Sequence, residues 1–381
     1  MIEYSPADAE LGLSDAERTV IEAAAAFARE VVEPAAAGWE RDRRLPREAF
    51  AAAAASGLAG LAAPAELGGA ALGSVAKARV MEELARADLA FTFVLVVHNN
   101  LVAALCRHGR AEQQRRYVPA LARGELLGAF LLTEPGAGSD AAAITTTAEA
   151  AGSGWRLSGE KAWVTNAASA DLLQVYARAE GIGSFLVRAD QPGVRRTEPY
   201  HLLGCHAMGA GGVVLDRVEV DPEHVLIPPG QALRAALAGI DGARVEVAAM
   251  CSGVLARALG EAVAYTKARP AFGGAVAQFQ GVQWMLADVA TELAAARLLA
   301  YDAARALAAG SPGAPAAAAH AKKFATRSAL TGVAACMQVM GAEGLRHEHP
   351  LARALAAAKT AQYLDGATEI QNVVLSRALF A

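Results

Sequence analysis

Residues 129–140 read Ala-Phe-Leu-Leu-Thr-Glu-Pro-Gly-Ala-Gly-Ser-Asp, and a second run, Lys161-Ala-Trp-Val-Thr-Asn166, follows shortly after. The glycines of the first run, Gly138 among them, let a backbone approach a ligand closely. Thr133, Ser139 and Thr165 offer hydroxyl hydrogen bonds. Trp163 offers a flat apolar face suited to a ring system. In a chain otherwise dominated by alanine and leucine, this set predicts a pocket for a planar, polar-edged cofactor.

The same stretch marks a change of character. From Gly124 to about residue 230, short β-prone runs alternate with turn residues. Examples are 172–176, 184–187 and 213–220, punctuated by Gly152, Gly154, Gly159, Gly181, Gly183 and Gly193. Upstream the chain reads as helices. Ser14 and Glu17 form a capping box, and Val20, Ile21, Ala24, Phe27, Ala28, Val31 and Val32 keep the helical period behind it. Pro34 is expected to end that helix. Further helices are expected near 46–56, 75–87, 90–108 and 111–123. After Pro228-Pro-Gly230 the helical pattern returns in four long stretches, 232–268, 278–309, 315–342 and 351–380, the last broken near Asp365-Gly366. The order gives an α+β protein, mostly α. It has an N-terminal helical domain (1–124), a small middle β-barrel or sandwich domain (125–231) and a C-terminal four-helix bundle (232–381).

Composition narrows the function classes. Hydrophobic residues make up 54% of the 381, much of that alanine, the best helix former, so helix should dominate. The net charge of −4 argues against nucleic acid as a partner. Cys106, Cys205, Cys251 and Cys336 are scattered, with no C-x-x-C pair. They suggest neither a metal site nor a redox dithiol, and read as free thiols in a reducing cytoplasm. The N-terminus lacks a basic region followed by an apolar core, so no leader is expected. The alanine-rich runs are short and broken by charges, so no membrane span is expected either.

Four groups of residues, in order, resemble the signatures of the acyl-CoA dehydrogenases, and the resemblance covers essentially the whole chain. It implies FAD as cofactor. In the first group, Phe130, Leu132, Thr133, Gly138 and Ser139 would line the isoalloxazine, with backbone at Leu132 and Thr133 meeting its polar edge. Ser139 would also lie near the substrate thioester, and Trp163 and Thr165 would cover the other side of the ring. The second group is Arg269-Pro-Ala-Phe272-Gly followed by Gln280. The third is Gln338-Val-Met-Gly341-Ala-Glu-Gly344. By resemblance both reach the pyrophosphate and adenosine of FAD bound mainly by a neighbouring subunit, which implies a homodimer or homotetramer. An arginine fork suits phosphate oxygens.

The fourth group, Leu364-Asp365-Gly366-Ala367-Thr368-Glu369-Ile370-Gln371, resembles the segment whose glutamate removes the α-proton of the substrate. Here Asp365 stands in that place, one methylene shorter, and Thr368 would meet the cofactor. Some subfamilies carry the base just before the arginine that matches Arg244, but this chain has Ala243 there. Asp241, Arg244 and Gly366 match positions that contact substrate or carrier. Two further departures are Ala356-Ala357, in place of an Arg-Asp pair, and Gly204-Cys-His206-Ala-Met208-Gly-Ala210, in place of a more polar run.

The reaction implied is α,β-desaturation of an acyl thioester on CoA or an acyl carrier protein, with an electron-transfer flavoprotein or similar acceptor. By resemblance the flavin's ribityl hydroxyl and the backbone N–H of the base residue would stabilise the developing enolate. The chain also looks somewhat like the acyl-carrier-protein dehydrogenases of polyketide extender-unit pathways. For such a partner Arg107 to Arg110, or Arg115-Arg116, would supply a basic rim. Two alternatives stand beside this reading. One is a flavin oxidase on the same fold, resembling nitroalkane oxidase, which also uses an aspartate base. The other is a flavin-bound homologue without catalysis.

Overall fold

The structure, a computed structural model, describes residues 11–380. Residues 1–10, on which the absence of a leader was argued, and Ala381 lie outside the described residues.

Helix α1 (Asp15–Phe27) starts at the capping box read from the sequence: Ser14 N–H donates to Glu17 Oε2 at 2.9 Å, and Glu17 N–H donates back to Ser14 Oγ. Pro34 does not end the helical run. One π-type turn (Ala28–Val32) leads straight into α2 (Glu33–Arg41), with Pro34 in its first turn. The run stays helical through Pro34, and the π-type turn lies just where proline can neither donate an N–H nor fit against the carbonyl four residues earlier. Helices α3 (Arg47–Ala55), α4 (Ser74–Ala87), α5 (Leu89–His108) and α6 (Ala111–Ala122) complete the N-terminal part.

The middle part is one 8-stranded sheet. Its strands are β1 (Gly128–Leu131), β2 (Thr147–Ala151), β3 (Gly154–Val164), β4 (Leu172–Arg178), β5 (Ile182–Arg188), β6 (Val194–Arg196), β7 (Gly211–Val220) and β8 (Val225–Ile227). The order is β6-β7-β3-β2-β4-β5-β8, with β1 added to β4 in parallel. Apolar residues of β1, β3, β4, β5 and β7 build its core, including Leu131, Leu157, Val175, Phe185 and Val213.

The described residues of the C-terminal part hold five α-helices, the four expected stretches with the last broken where the sequence placed the break. They are α7 (Ala232–Ala268), α8 (Gln280–Ala308), α9 (Ala314–Met340), α10 (Pro350–Ala361) and α11 (Thr368–Phe380). The last stretch splits because Asp365 and Gly366 both take left-handed φ, 49° and 97°. Short connections make α7, α8 and α9 antiparallel neighbours. Gly332 on α9 fits between Leu255 of α7 and Val289 of α8, where any Cβ would stand 2.5 Å from Leu255 Cδ1. Buried Glu82 ties α4 to α8, accepting from Arg297 Nε at 2.7 Å and Tyr301 Oη at 2.5 Å.

Against the expectation from sequence, α5 and α7 are each long and apolar enough to cross a membrane. Most of each apolar window is buried in the fold: 78% for α5 and 67% for α7. Core packing therefore accounts for their composition.

Candidate active site

The first two sequence motifs meet on one side of the sheet. Glu134 and Ala137 close a tight turn, each N–H donating to the other's carbonyl. The Glu134 side chain turns inward, where Thr145 N, Thr145 Oγ1 and Thr146 N donate to it at 2.6, 2.8 and 2.9 Å. Lys161 Nζ completes the cluster at 2.7 Å, and also donates to Leu132 O at 3.1 Å. Ala162 N–H donates to Thr133 O at 2.9 Å. Burial alone would raise the Glu134 carboxyl, but Lys161 and the threonine donors outweigh it and hold it at about 2. Burial lowers Lys161 to about 8 against the pull of Glu134, so the pair is ionised at neutral pH.

With those carbonyls engaged, the segment's contribution to a ligand falls to its N–H groups and the Thr133 hydroxyl. The hydroxyls of Thr133, Ser139 and Thr165 have no partner among the described residues. Gly136 and Gly138 have ordinary φ, and a Cβ on either would meet nothing within 4 Å. Nothing in the chain's own packing requires glycine there, which fits close approach by a bound group.

Trp163 is aimed outward by a β-bulge. The pairing of β3 with β7 slips between Lys161 and Val164, and Trp163 takes φ 57°. Its indole is 62% exposed and lies 4.7 Å from the Tyr200 ring. Phe130, by contrast, is half-buried and packs its ring against Tyr176 at 5.0 Å. Asn166 locks the bulge in place: its Nδ2 donates to Val94 O and Gly128 O, and its N–H to Met208 O. Behind β1, buried His98 accepts from Gly128 N–H and faces Ala59 O at 2.9 Å. Burial lowers its pKa to about 4, so it works as a neutral strut. Sequence reasoning missed Lys161, Glu134 and His98 as organising residues. The signal was polar side chains, such as His98-Asn99, set in strongly apolar runs.

The fourth motif is held by the bundle. Arg244 is buried on α7, donates Nε to Asp365 O at 3.1 Å, and donates Nη1 to Asp241 Oδ1 at 2.8 Å. Lys322 on α9 is fully buried and donates to Gly366 O at 2.7 Å and Gln362 O at 3.2 Å. Gln371 Nε2 also donates to Gly366 O. The Asp365 turn is thus fixed by its carbonyls, not by its carboxylate. Asp365 as a residue is half-buried, yet its Oδ2 is buried and has no hydrogen-bond partner. Burial pushes its pKa up to about 6; Lys322 and Arg244 oppose that rise and Glu246 supports it. Thr368 opens α11 directly beyond the turn.

The structure therefore unites Asp365, Gly366, Arg244 and Asp241, and separately unites Thr133, Trp163 and Thr165. It does not bring the second and third motifs to Asp365. Arg269 caps the far end of α7, 269 − 244 = 25 residues beyond Arg244, or about 37 Å at 1.5 Å per residue. Gln280 opens α8 and Gln338 and Gly341 close α9, all at that same end. Arg269, Gln280 and Gln338 are exposed, and Phe272 is 98% exposed.

The two polar departures noted in the sequence meet in space. A Cβ on Gly204 would lie 2.7 Å from that of Ala356. His206 Nδ1 and N–H engage Glu40 at 2.7 and 2.9 Å, docking the 204–210 run onto α2. Of the expected basic rim, Arg116 pairs with Glu223 at 2.9 Å and Arg110 donates to Glu223 O at 2.8 Å. These two arginines bind α6 to the loop before β8.

Comparison with known proteins covers the whole of this arrangement. Models of the acyl-CoA dehydrogenase N-terminal, middle and C-terminal domains match residues 14–125, 129–218 and 230–380. A probable acyl-CoA dehydrogenase of Mycobacterium leprae is 34% identical over 360 residues, spanning 93% of this chain and 92% of the relative. Butyryl-CoA dehydrogenase from Megasphaera elsdenii superposes with a TM-score of 0.93 at 29% identity, covering 97% of this chain and 99% of that one. The prolyl acyl carrier protein oxidase AnaB superposes with a TM-score of 0.91 at 25% identity, covering 97% and 100%.

Proposed function

The chain belongs to the acyl-CoA dehydrogenase family, and we propose that it catalyses FAD-dependent α,β-dehydrogenation of an acyl thioester carried on CoA or an acyl carrier protein. The observation that carries this reading is the Asp365 carboxyl, with a buried, unpartnered oxygen on a turn braced by Arg244 and Lys322. A base poised near pH 6 is mostly ionised at neutral pH and retains enough proton affinity to act. Asp365 takes the α-proton of the thioester on a carboxylate oxygen. Arg244 and Lys322 hold the backbone on either side of it, so the shorter side chain works from a fixed origin. FAD, when bound, supplies the acceptor for the hydride that leaves the β-carbon. Thr133, Ser139, Trp163 and Thr165 are the residues that would hold its ring, and their free hydroxyls and exposed indole fit that task.

We assign Arg269, Phe272, Gln280, Gln338 and Gly341 to the cofactor of a second copy. The roughly 37 Å along α7 sets these residues far from the Asp365 turn of their own chain, which supports that assignment. The exposed Phe272, Phe279 and Trp284 supply apolar surface for such a contact. An electron-transfer flavoprotein is the acceptor this reading implies.

The test is anaerobic flavin bleaching against a panel of acyl thioesters on CoA and on acyl carrier protein. One of them should bleach the native protein, and Asp365→Asn should bind FAD yet stay yellow. Native-rate bleaching by that variant would refute the base assignment. The resemblance to AnaB favours an oxidase as the second reading. Peroxide release in air at the rate of turnover would establish it.

A further inference from the structure

The three parts of the chain meet around one small, partly open cavity. Glu40 reaches its wall from α2, Asp88 from the turn between α4 and α5, Cys205 from the 204–210 run, Arg257 from α7, and Arg353 and Ala357 from α10. Junctions of this kind are common places for ligands. Arg353 is the group left unsatisfied there: its Nε is buried with no hydrogen-bond partner. The other charges are committed. Glu40 is held by His206, whose Nδ1 stands 2.7 Å from Oε1 and whose N–H donates to Oε2 at 2.9 Å. Asp88 caps α5, accepting from Phe91 N–H at 2.8 Å. Arg257 pairs with Glu33 and with Glu261, each at 2.7 Å.

Ala357 explains the bare nitrogen. It lies four residues after Arg353, so the two share a face of α10. The signature that this segment resembles has an aspartate at that position, the second member of the pair that Ala356-Ala357 replaces. An aspartate there would stand one turn from the guanidinium, in reach of an ion pair. With only a methyl group at 357, that space belongs to the cavity.

We propose that the cavity binds a small monocarboxylate anion, of the size of formate or acetate, whose oxygens accept from Arg353 in place of the missing aspartate side chain. Charge favours an anion. Arg86, Arg257 and Arg353 outnumber Glu40 and Asp88 in the wall, and the first turns of α5 and α10 add their positive ends. Volume sets the size. The cavity measures about 30 Å³, and at roughly 10–15 Å³ for each water-sized group it holds two or three of them. That suits a carboxylate and is too little for sulfate or phosphate.

The test is thermal unfolding of the FAD-loaded protein in sodium formate against sodium chloride at equal ionic strength. Formate should raise the midpoint along a saturating curve, by about 2 °C at its plateau, and chloride should not. Arg353→Gln should lose the formate curve. Ala357→Asp supplies the carboxylate from the chain itself, so it should melt above the native protein in chloride and ignore formate. Line broadening of carbon-13 formate by the folded protein reads the same occupancy without unfolding. It should appear with the native protein and vanish with either variant, so the proposal stays testable if one of them does not fold. A native response no larger in formate than in chloride would overturn the proposal. So would a formate response that survives in Arg353→Gln or Ala357→Asp, since that marks a general salt effect.

Discussion

Lys161 Nζ stands 2.7 Å from Glu134 Oε1 in the interior, and that contact joins the two stretches that would hold the flavin ring. One residue lies in the turn after β1 and the other on β3, so the pair sets the spacing between Thr133 and Trp163. Removing the cation leaves Glu134 buried with only threonine donors. Lys161→Met should therefore cost about 3–5 kcal/mol, the usual penalty for orphaning a buried charge. It should also lower the FAD content of purified protein. The contribution of Glu134 is present above its ordinary value of 4.5 and is lost as pH falls toward 2. The native protein should thus outlast Lys161→Met at pH 7 and converge with it in acid, as read by thermal unfolding.

Asp365 behaves with the opposite sign. Its carboxyl rises from 3.8 to about 6 on folding, so the folded chain holds the proton more tightly. Stability from this group is complete below pH 3.8 and is lost as pH climbs through 6. The loss amounts to about 3 kcal/mol at 1.36 kcal/mol per unit. Asp365→Asn cannot ionise, so it should match the native protein near pH 4 and exceed it at pH 7.5. Denaturant titrations at equal FAD loading would measure the gap. A gap that stays flat with pH would show that the carboxyl is not perturbed.

The separation of Arg269 from Arg244 makes a prediction about mixed oligomers. Arg269→Ala removes a charge-assisted contact and should weaken FAD binding by about 10- to 100-fold. Asp365→Asn should abolish turnover with FAD still bound. In a hybrid of the two variants, one site pairs an intact Asp365 with an intact Arg269 from the other chain. At FAD concentrations that leave the Arg269→Ala homo-oligomer largely empty, co-expression should therefore restore activity that neither variant shows alone. Failure of the hybrid, with mixed assembly verified by mass, would place Arg269 in the site of its own chain.

Much of this was legible in the sequence because local chemistry agreed with the tertiary structure. The capping box at Ser14, the apolar period after it and the glycine-punctuated strands all read directly. Pro34 misled because the π-type turn that carries the helical run past it leaves no mark in the sequence. The outward aim of Trp163 depends on a slip in the pairing of β3 with β7, which no single strand reveals. The coincidence of Gly204 with Ala356 joins two departures that sit far apart in the chain.

Gly366 offers the sharpest test of how the base is held. Its φ is 97°, and an added Cβ would stand 3.2 Å from Gln371 Nε2 and 3.3 Å from Arg244 Nη2. Gly366→Ala must therefore strain the backbone and press on the arginine that braces Asp365. The strain costs about 1–2 kcal/mol. Displacing the carboxylate by ~1 Å costs on the order of a hundredfold in rate. Gly310→Ala is the control: its φ is 60° and a Cβ there meets nothing within 4 Å. The two variants should lose similar stability, yet only Gly366→Ala should slow anaerobic flavin reduction under saturating thioester. Equal rates in both would mean that the turn does not position the base.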